Sequence, residues 1–337
     1  MARLHNTNRR DGLHRSAVER LPLIGANIRT AGGFAPVPER ALAIGAEAVQ
    51  IFNSNPRIWR ARLPGPDELT ALTAGLREHR LPLFLHTIYL INLASPDALL
   101  RQRSSEALAE ALVLGARAAA AGVVTHVGSH RGEGFAAAAG RVVDAIQEAM
   151  NIAGKTLETR EHDRTLPPLL LETGAGSGRT VGGRLEELAE LLASLPPSCG
   201  LCLDTAHLFA AGYAVHTTSG LERLVEELGE RGLLASVGLI HLNDSKTPFA
   251  SSRDRHENPG DGHIGLAGLA RVVRHPALAA VPFVLEVPGF DGHGPDAANV
   301  ALVKRMREGA ADPPEAPAPG ACYPRGSGSP DPENRSR

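Results

Sequence analysis

Between His241 and Gly265 the chain reads HLNDSKTPFASSRDRHENPGDGHIG, placing three histidines and three aspartates directly after a strongly apolar run. Imidazole and carboxylate are ligands for divalent cations, so this loop has the chemistry to hold one. Residues two apart in extended backbone point the same way, which lets Asp254 and His256 reach a single ion across Arg255. Two ligands do not complete a site. The others must come from elsewhere in the chain.

Eight short apolar runs offer them: LPLIGAN, EAVQIFN, LPLFLHT, GVVTHVG, PPLLLET, GLCLDTA, VGLIHLN and VPFVLEV. Each carries a polar or ionisable residue near its carboxyl end, in order Asn27, Asn53, His86, His126, Glu172, Asp204, His241 and Glu286. Six of these are good metal ligands. His207, Asp254 and His256 bring the set to nine, with five histidines, four carboxylates and no thiolate. That mixture suits Zn²⁺ or Mn²⁺ in a hydrolytic or isomerising centre better than a cysteine-rich structural zinc site. At three or four ligands per ion, nine groups hold two or three ions if one carboxylate bridges. Taken singly, each histidine reads equally as a satisfied core or surface residue. Taken together, buried carboxylates gathered in one place would repel one another unless cations or protons compensated them. His130 and His263, in loops near the same strand ends, are candidates to support the ligands from behind. His5, His14, His79, His162, His216, His275 and His293 lack this placement.

The elements that must position these groups follow from the alternation of apolar runs with segments of helical period, the pattern of repeated βα units. Helices are expected in VPERALAIGA, PDELTALTAGLREHR, PDALLRQRSSEALAEALVLGARAAAAG, Glu133 to Gly154, GGRLEELAELLASL, SGLERLVEELGERG with Ser219 as N-cap, GLAGLARVVRH, and Asp296 to Arg307. Eight such units predict an α/β fold, a single closed (β/α)₈ TIM barrel whose strand ends converge on one mouth. The competing open doubly wound sheet lacks its Gly-rich fingerprint here. The barrel is expected over residues 19–309. The polar residues 1–18 and the Pro/Gly-rich residues 310–337 are expected to be disordered tails.

Bulk properties agree with this picture and exclude others. The 337 residues are 43% hydrophobic but only 4% aromatic, leaving aliphatic side chains to fill the core, as layered barrel interiors prefer. No apolar run is long enough to span a membrane, and the amino end lacks a secretory h-region, so a cytoplasmic protein, monomeric and without a membrane partner, is expected. Cys199, Cys202 and Cys322 make no disulfide framework, and the Cys199–Cys202 pair reads as structural. A formal net charge of −2 gives no long-range attraction for nucleic acid. An anionic partner would have to be held by a local basic face or by bound cations.

The stretches IGANIRTAGG, FNSNPRIW, HTIYLINLASPD, THVGSH, LLLETGAGSG, LCLDTAHLFAAGY, HLNDSK, SRDRHENPGDGHIG and LEVPG together resemble the endonuclease IV family, the zinc-dependent AP endonucleases of base-excision repair. The resemblance covers essentially the whole expected barrel. It implies a first zinc on His86, His126 and Glu172, a second on Glu172, Asp204, His241 and Glu286, and a third on His207, Asp254 and His256, with Mn²⁺ an option at one site. Glu172 would bridge, and Glu172 and Glu286 would be the catalytic carboxylates. The implied partner is double-stranded DNA with abasic sites. Arg57, Tyr89 and Leu90 would enter the helix at the lesion and Arg255 would contact a phosphate, although Trp59 and Tyr89 read equally as packing residues and Arg255 as a surface arginine.

The implied reaction is hydrolysis of the phosphodiester 5′ to the abasic site, giving a 3′-hydroxyl and a 5′-deoxyribose phosphate, with trimming of blocked 3′ ends as a further activity. Three divalent ions against four carboxylates leave a formal surplus of about two positive charges for the phosphodiester, and would supply hydroxide near neutral pH. The chain departs from the family pattern at Asn27, where histidine is usual, and at Thr173, where asparagine is usual. Two alternatives stay open: a sugar isomerase or epimerase on the related barrel, typically with a single divalent ion, and a lesion-binding protein that no longer cleaves.

Overall fold

Eight short parallel strands close on themselves, each a run of aliphatic residues flanked by turn signals. They are β1 (Ile24–Asn27), β2 (Val49–Phe52), β3 (Leu83–His86), β4 (Gly122–Thr125), β5 (Leu169–Glu172), β6 (Cys199–Asp204), β7 (Val237–His241) and β10 (Phe283–Leu285). They pair in chain order around the ring, with β10 closing onto β1. The computed structural model describes residues 21–59 and 63–309, so both tails anticipated as disordered lie outside the described residues. An antiparallel pair, β8 (Asp244–Ser245) with β9 (His256–Glu257), stands apart from the barrel and carries the histidine-rich loop.

The helices are α1 (Val37–Ala43), α2 (Pro66–Glu78), α3 (Ala98–Arg117), α4 (Phe135–Arg160), α5 (Leu185–Ala193), α6 (Thr205–Ala211), α7 (Thr218–Glu230), α8 (Gly265–Val273) and α9 (Ala297–Arg307). Three details differ from the sequence expectation, the first being that α4 runs on past Gly154 to Arg160. The N-cap of α7 is Thr217, whose hydroxyl accepts from the Gly220 amide, rather than Ser219, which lies inside the first turn. Helix α6 was not anticipated. It begins directly behind β6 because the Asp204 carboxylate caps it, accepting from the His207 amide at 2.8 Å, and it stops at Gly212 with φ 103°.

Strand parity explains why the mouth is polar and the wall apolar. Along a strand alternate residues face opposite sides, so Leu83 and Leu85 pack outward under the helices while Phe84 and His86 face the interior. An inner apolar cluster is built from Phe84, Val124, Leu170, Cys202, Leu239 and Val284, one from each of β3, β4, β5, β6, β7 and β10. The residue two positions further along each strand is His86, His126, Glu172, Asp204, His241 or Glu286. The six strand-end candidate ligands thus form the next layer up. Cys202, fully buried in the apolar layer with its thiol pushed up to about 12, first by burial, is structural as expected.

At the opposite end of the strands, Glu47 ties the start of β1 to α9. Its carboxylate accepts from the Ile24 amide (2.9 Å) and pairs with Arg307 (2.6 Å) and Lys304 (3.0 Å) on α9. Burial raises the Glu47 pKa, but Arg307, the Ile24 amide and Lys304 outweigh it and hold it below the usual carboxylate range. A lowered folded pKa means that this contribution is present above the unfolded value of about 4.3 and is lost as pH falls through the folded one. Replacing Glu47 with glutamine is expected to lower the melting temperature by roughly 2–5 °C at pH 7, for a loss of about 1–2 kcal/mol. The difference should close below about pH 4; a pH-independent difference would show that packing, not charge, is responsible.

Candidate metal centre

The nine side chains singled out in the sequence meet at the carboxyl end of the barrel. Among the described residues, three groups have candidate ligand atoms within 4.8 Å of one another: His86, His126 and Glu172; Glu172, Asp204, His241 and Glu286; and Asp204, His207 and His256. Glu172 is the hub. Its Oε2 lies 3.1 Å from His86 Nε2 and 3.3 Å from His126 Nδ1, while its Oε1 lies 3.0 Å from His241 Nδ1. Glu286 Oε2 is 3.2 Å from the same His241 nitrogen. Asp254 completes the set by reaching His207 Nε2 at 3.2 Å and His256 Nε2 at 3.3 Å. The third trio expected from the sequence, His207, Asp254 and His256, is therefore together in space, with Asp204 as an additional neighbour, 3.5 Å from His256 Nε2.

These spacings fit divalent ions. Ligand atoms about 2.0–2.2 Å from a tetrahedral zinc sit roughly 3.3–3.5 Å apart, close to the distances observed. Tautomers point the same way. The ring nitrogens facing outward donate to fixed acceptors: His86 Nδ1 to the Thr87 carbonyl (2.7 Å), His207 Nδ1 to the Thr173 carbonyl (2.8 Å), and His241 Nε2 to Gln50 Oε1 (2.8 Å). The opposite nitrogen of each neutral ring then presents a lone pair to a carboxylate oxygen, an arrangement that requires a proton or a cation between them. His256 Nε2 is buried and has no hydrogen-bond partner, as a nitrogen reserved for a metal would be.

Burial lowers the pKa of His207 and His241, but Asp204, Asp254 and Glu172 around His207, and Cys202, Glu286 and Glu172 around His241, hold both well above the ordinary histidine value. Burial likewise raises Glu172, yet His126, His241 and His207 hold it well below the carboxylate range. His126 is the exception: burial dominates and lowers it. Carboxylates and imidazoles thus stabilise one another's charged forms at Glu172, His207 and His241.

Three residues that frame the cage were not picked out from the sequence. Gln50 on β2 bridges His241 and Glu286. Asn243 donates to Asp204 Oδ2 at 2.7 Å and accepts the Glu286 amide at 2.8 Å. The buried Asp244 carboxylate accepts from the amides of Ser245, Gly260, Gly262, Ile264 and Gly265, folding the loop that carries Asp254 and His256. Gly262 is required there, since a Cβ would lie 2.4 Å from Asp244 Oδ1. The usable signal for Gln50 was a polar residue at an inward-facing strand position; the other two sit beside His241 in HLND.

The remaining expectations divide. His130 does not support a ligand: its Nδ1 accepts from the amides of Gly132 and Gly134, ordering the turn before α4. His263 is exposed. Tyr89 is 54% exposed at the rim, its ring against Phe52, His86 and His126. Leu90 is half-buried against the core, and Trp59 packs there too, with the Arg103 guanidinium 5.5 Å over its ring. Arg57 and Arg255 are exposed, Arg255 Nη1 donating to the Asp254 carbonyl at 2.6 Å. The Thr173 hydroxyl accepts from the Asp204 amide, and the Asn27 side-chain oxygen is buried without a partner. A cavity of about 250 Å³ opens beside the cage, its lining including His126, Glu172, His207 and Asp254 as well as Thr180 and Ser252. No helix among the described residues is long and apolar enough to cross a membrane.

Residues 38–309 match the family described as xylose isomerase-like TIM barrel. The chain is 37% identical to a probable endonuclease 4 of Nitratidesulfovibrio vulgaris, over 85% of this chain and 99% of the relative. The crystal structure of endonuclease IV from Thermus thermophilus superposes with a TM-score of 0.73 at 35% identity, covering 86% of this chain and all of the other. A D-tagatose 3-epimerase-like protein superposes with a TM-score of 0.61 but at 15% identity, a likeness of fold alone. With the family match over residues 38–309, the similarity along most of the chain and the shared barrel in agreement, the chain belongs to the endonuclease IV family.

Proposed function

We propose that this chain is a metal-dependent endonuclease of DNA repair that hydrolyses the phosphodiester 5′ to an abasic site, leaving a 3′-hydroxyl and a 5′-deoxyribose phosphate. The observation that carries the reading is the convergence of nine histidine and carboxylate side chains into three contiguous ligand groups. His86 and His126 with Glu172, Glu172 again with Asp204, His241 and Glu286, and His207 with Asp254 and His256 would hold three zinc ions, Mn²⁺ being an option at one. Bound there, the ions would supply positive charge for the phosphodiester and lower the pKa of solvent at the site toward neutrality.

The chain's own residues do the rest. Glu172 joins two ligand groups through its separate oxygens, holding them in fixed relation, and Glu286 closes the second against His241. The cavity beside the cage is smaller than the ~300–1,000 Å³ of drug-sized sites, in keeping with one sugar-phosphate unit rather than a large ligand. A missing base lowers the cost of swinging that unit out of the stack, which favours lesions over intact DNA. At the rim, Tyr89 and Leu90 would fill the vacated space while Arg57 and Arg255 contact the backbone. The barrel carries the activity.

The test is incubation of purified, metal-analysed protein with duplexes that do or do not contain one abasic site. Incision confined to the lesion is expected. Tight binding without nicking would replace this reading with that of a lesion-binding protein, and aldose–ketose conversion would replace it with a sugar isomerase.

A further inference from the structure

On six strands of the barrel, the inward position two residues before the ligand is apolar: Phe84, Val124, Leu170, Cys202, Leu239 and Val284. Strand β2 is different. Gln50 pairs in register with Phe84 of that layer, and it is fully buried although its own strand provides no ligand. Burying a carboxamide is unfavourable unless each end finds a partner. Both do. Gln50 Nε2 donates to Glu286 Oε1 at 2.6 Å, and Gln50 Oε1 accepts from His241 Nε2 at 2.8 Å.

The direction of these bonds is set by charge. An ionised carboxylate only accepts, so the amide nitrogen must face Glu286 and the amide oxygen must face His241. The oxygen only accepts in turn, so His241 must carry its proton on Nε2. Its Nδ1 is then left to face Glu172, Asp204 and Glu286, at 3.0, 3.8 and 3.2 Å.

We propose that Gln50 is a positioning residue that selects the His241 tautomer and the Glu286 orientation, and so specifies one of the three cation sites, the one built from Glu172, Asp204, His241 and Glu286. The inference rests on the metal-centre reading above. Gln50 contacts two of these four ligands and, among the interactions described, neither His86, His126, His207 nor His256, so the effect falls on one site and spares the others. A leucine or methionine in its place would fit the apolar layer but leave His241 free to turn either nitrogen inward. A glutamate would set oxygen against oxygen at Glu286.

The experiment compares wild type with Gln50→Met, both stripped of metal and titrated with Zn²⁺ against a chromophoric chelator, with far-UV circular dichroism as the check on folding. One of the ions should bind about 10–100-fold more weakly in the variant while the others keep their affinity. In zinc-loaded wild type, ¹⁵N resonances should show a single His241 tautomer protonated at Nε2, with a mixture in the variant. If Gln50→Met fails to fold, Gln50→Glu, nearly the same shape, answers the question and should lose the same ion. Equal uptake by wild type and a folded variant, with one unchanged tautomer, overturns this inference alone. Wild-type protein that takes up no zinc overturns the metal-centre reading and this inference with it.

Discussion

Replacing Glu172 with glutamine is expected to lower incision of an abasic duplex by at least about 10³-fold. The substitution keeps the shape of the side chain but removes the charge, and one oxygen becomes an amide nitrogen that cannot ligate. Glu172 is 1% exposed, and its two oxygens serve different groups: Oε2 faces His86 and His126, and Oε1 faces His241 and His207. No other carboxylate in the cage joins His86 and His126 to the remaining ligands. Single-turnover nicking assays, with zinc content measured on the same preparation, check this. Activity within about tenfold of wild type would remove the bridging role assigned to Glu172.

Stripping the protein of metal with a chelator is expected to abolish incision and to lower the melting temperature by about 10 °C or more at pH 8–9, both recovering on addition of zinc. A single ligand at 1,000 times its Kd contributes about 4 kcal/mol to stability, and several ions contribute more. The loss should depend on pH, and the sign follows from the ion-free cage. His86, His207 and His241 have folded pKa values raised above the ordinary value near 6.5, the last two well above. Their contribution to the metal-free protein is present below that value and lost as pH rises through the folded pKa values. Near pH 6 protons take the place of cations and the difference between loaded and stripped protein narrows. At higher pH the carboxylates face one another without compensation and it widens. Differential scanning calorimetry across pH 6–9 measures this directly. A gap that is constant, or that shrinks with rising pH, contradicts the picture of a cage held together by exchangeable positive charge.

Much of the architecture was legible in the chain because it depends on local pattern. Alternation of aliphatic runs with helical segments gave eight strands, and eight parallel strands close the barrel. The ligand layer was legible for the same reason: in six of the runs the polar residue falls at an inward position near the carboxyl end and parity sends it to the mouth, whereas on β2 the inward residue in register with His86 is Phe52 and Asn53 lies one past it. Helix α6 is not legible in the pattern because its sequence runs straight on from a strand, and Asp204, besides being a candidate ligand, caps the helix that carries His207. Nearness to the mouth in sequence does not say which way a loop side chain turns, and only the structure shows His130 Nδ1 accepting from the Gly132 and Gly134 amides.

By itself the sequence determined the barrel, the identity of the nine ligand-type residues and the family, since each follows from residue type, spacing or motif. Only the tertiary structure decided how those residues group: that Glu172 divides its oxygens between two sets, that Asp204 stands between the second and third, and that Gln50 and Asn243 hold the cage in shape. The reason is physical. Strand periodicity fixes which face a side chain leaves from, but the direction of a hydrogen bond and the sharing of a carboxylate depend on partners tens to hundreds of residues away, which only the closed barrel brings within about 3 Å.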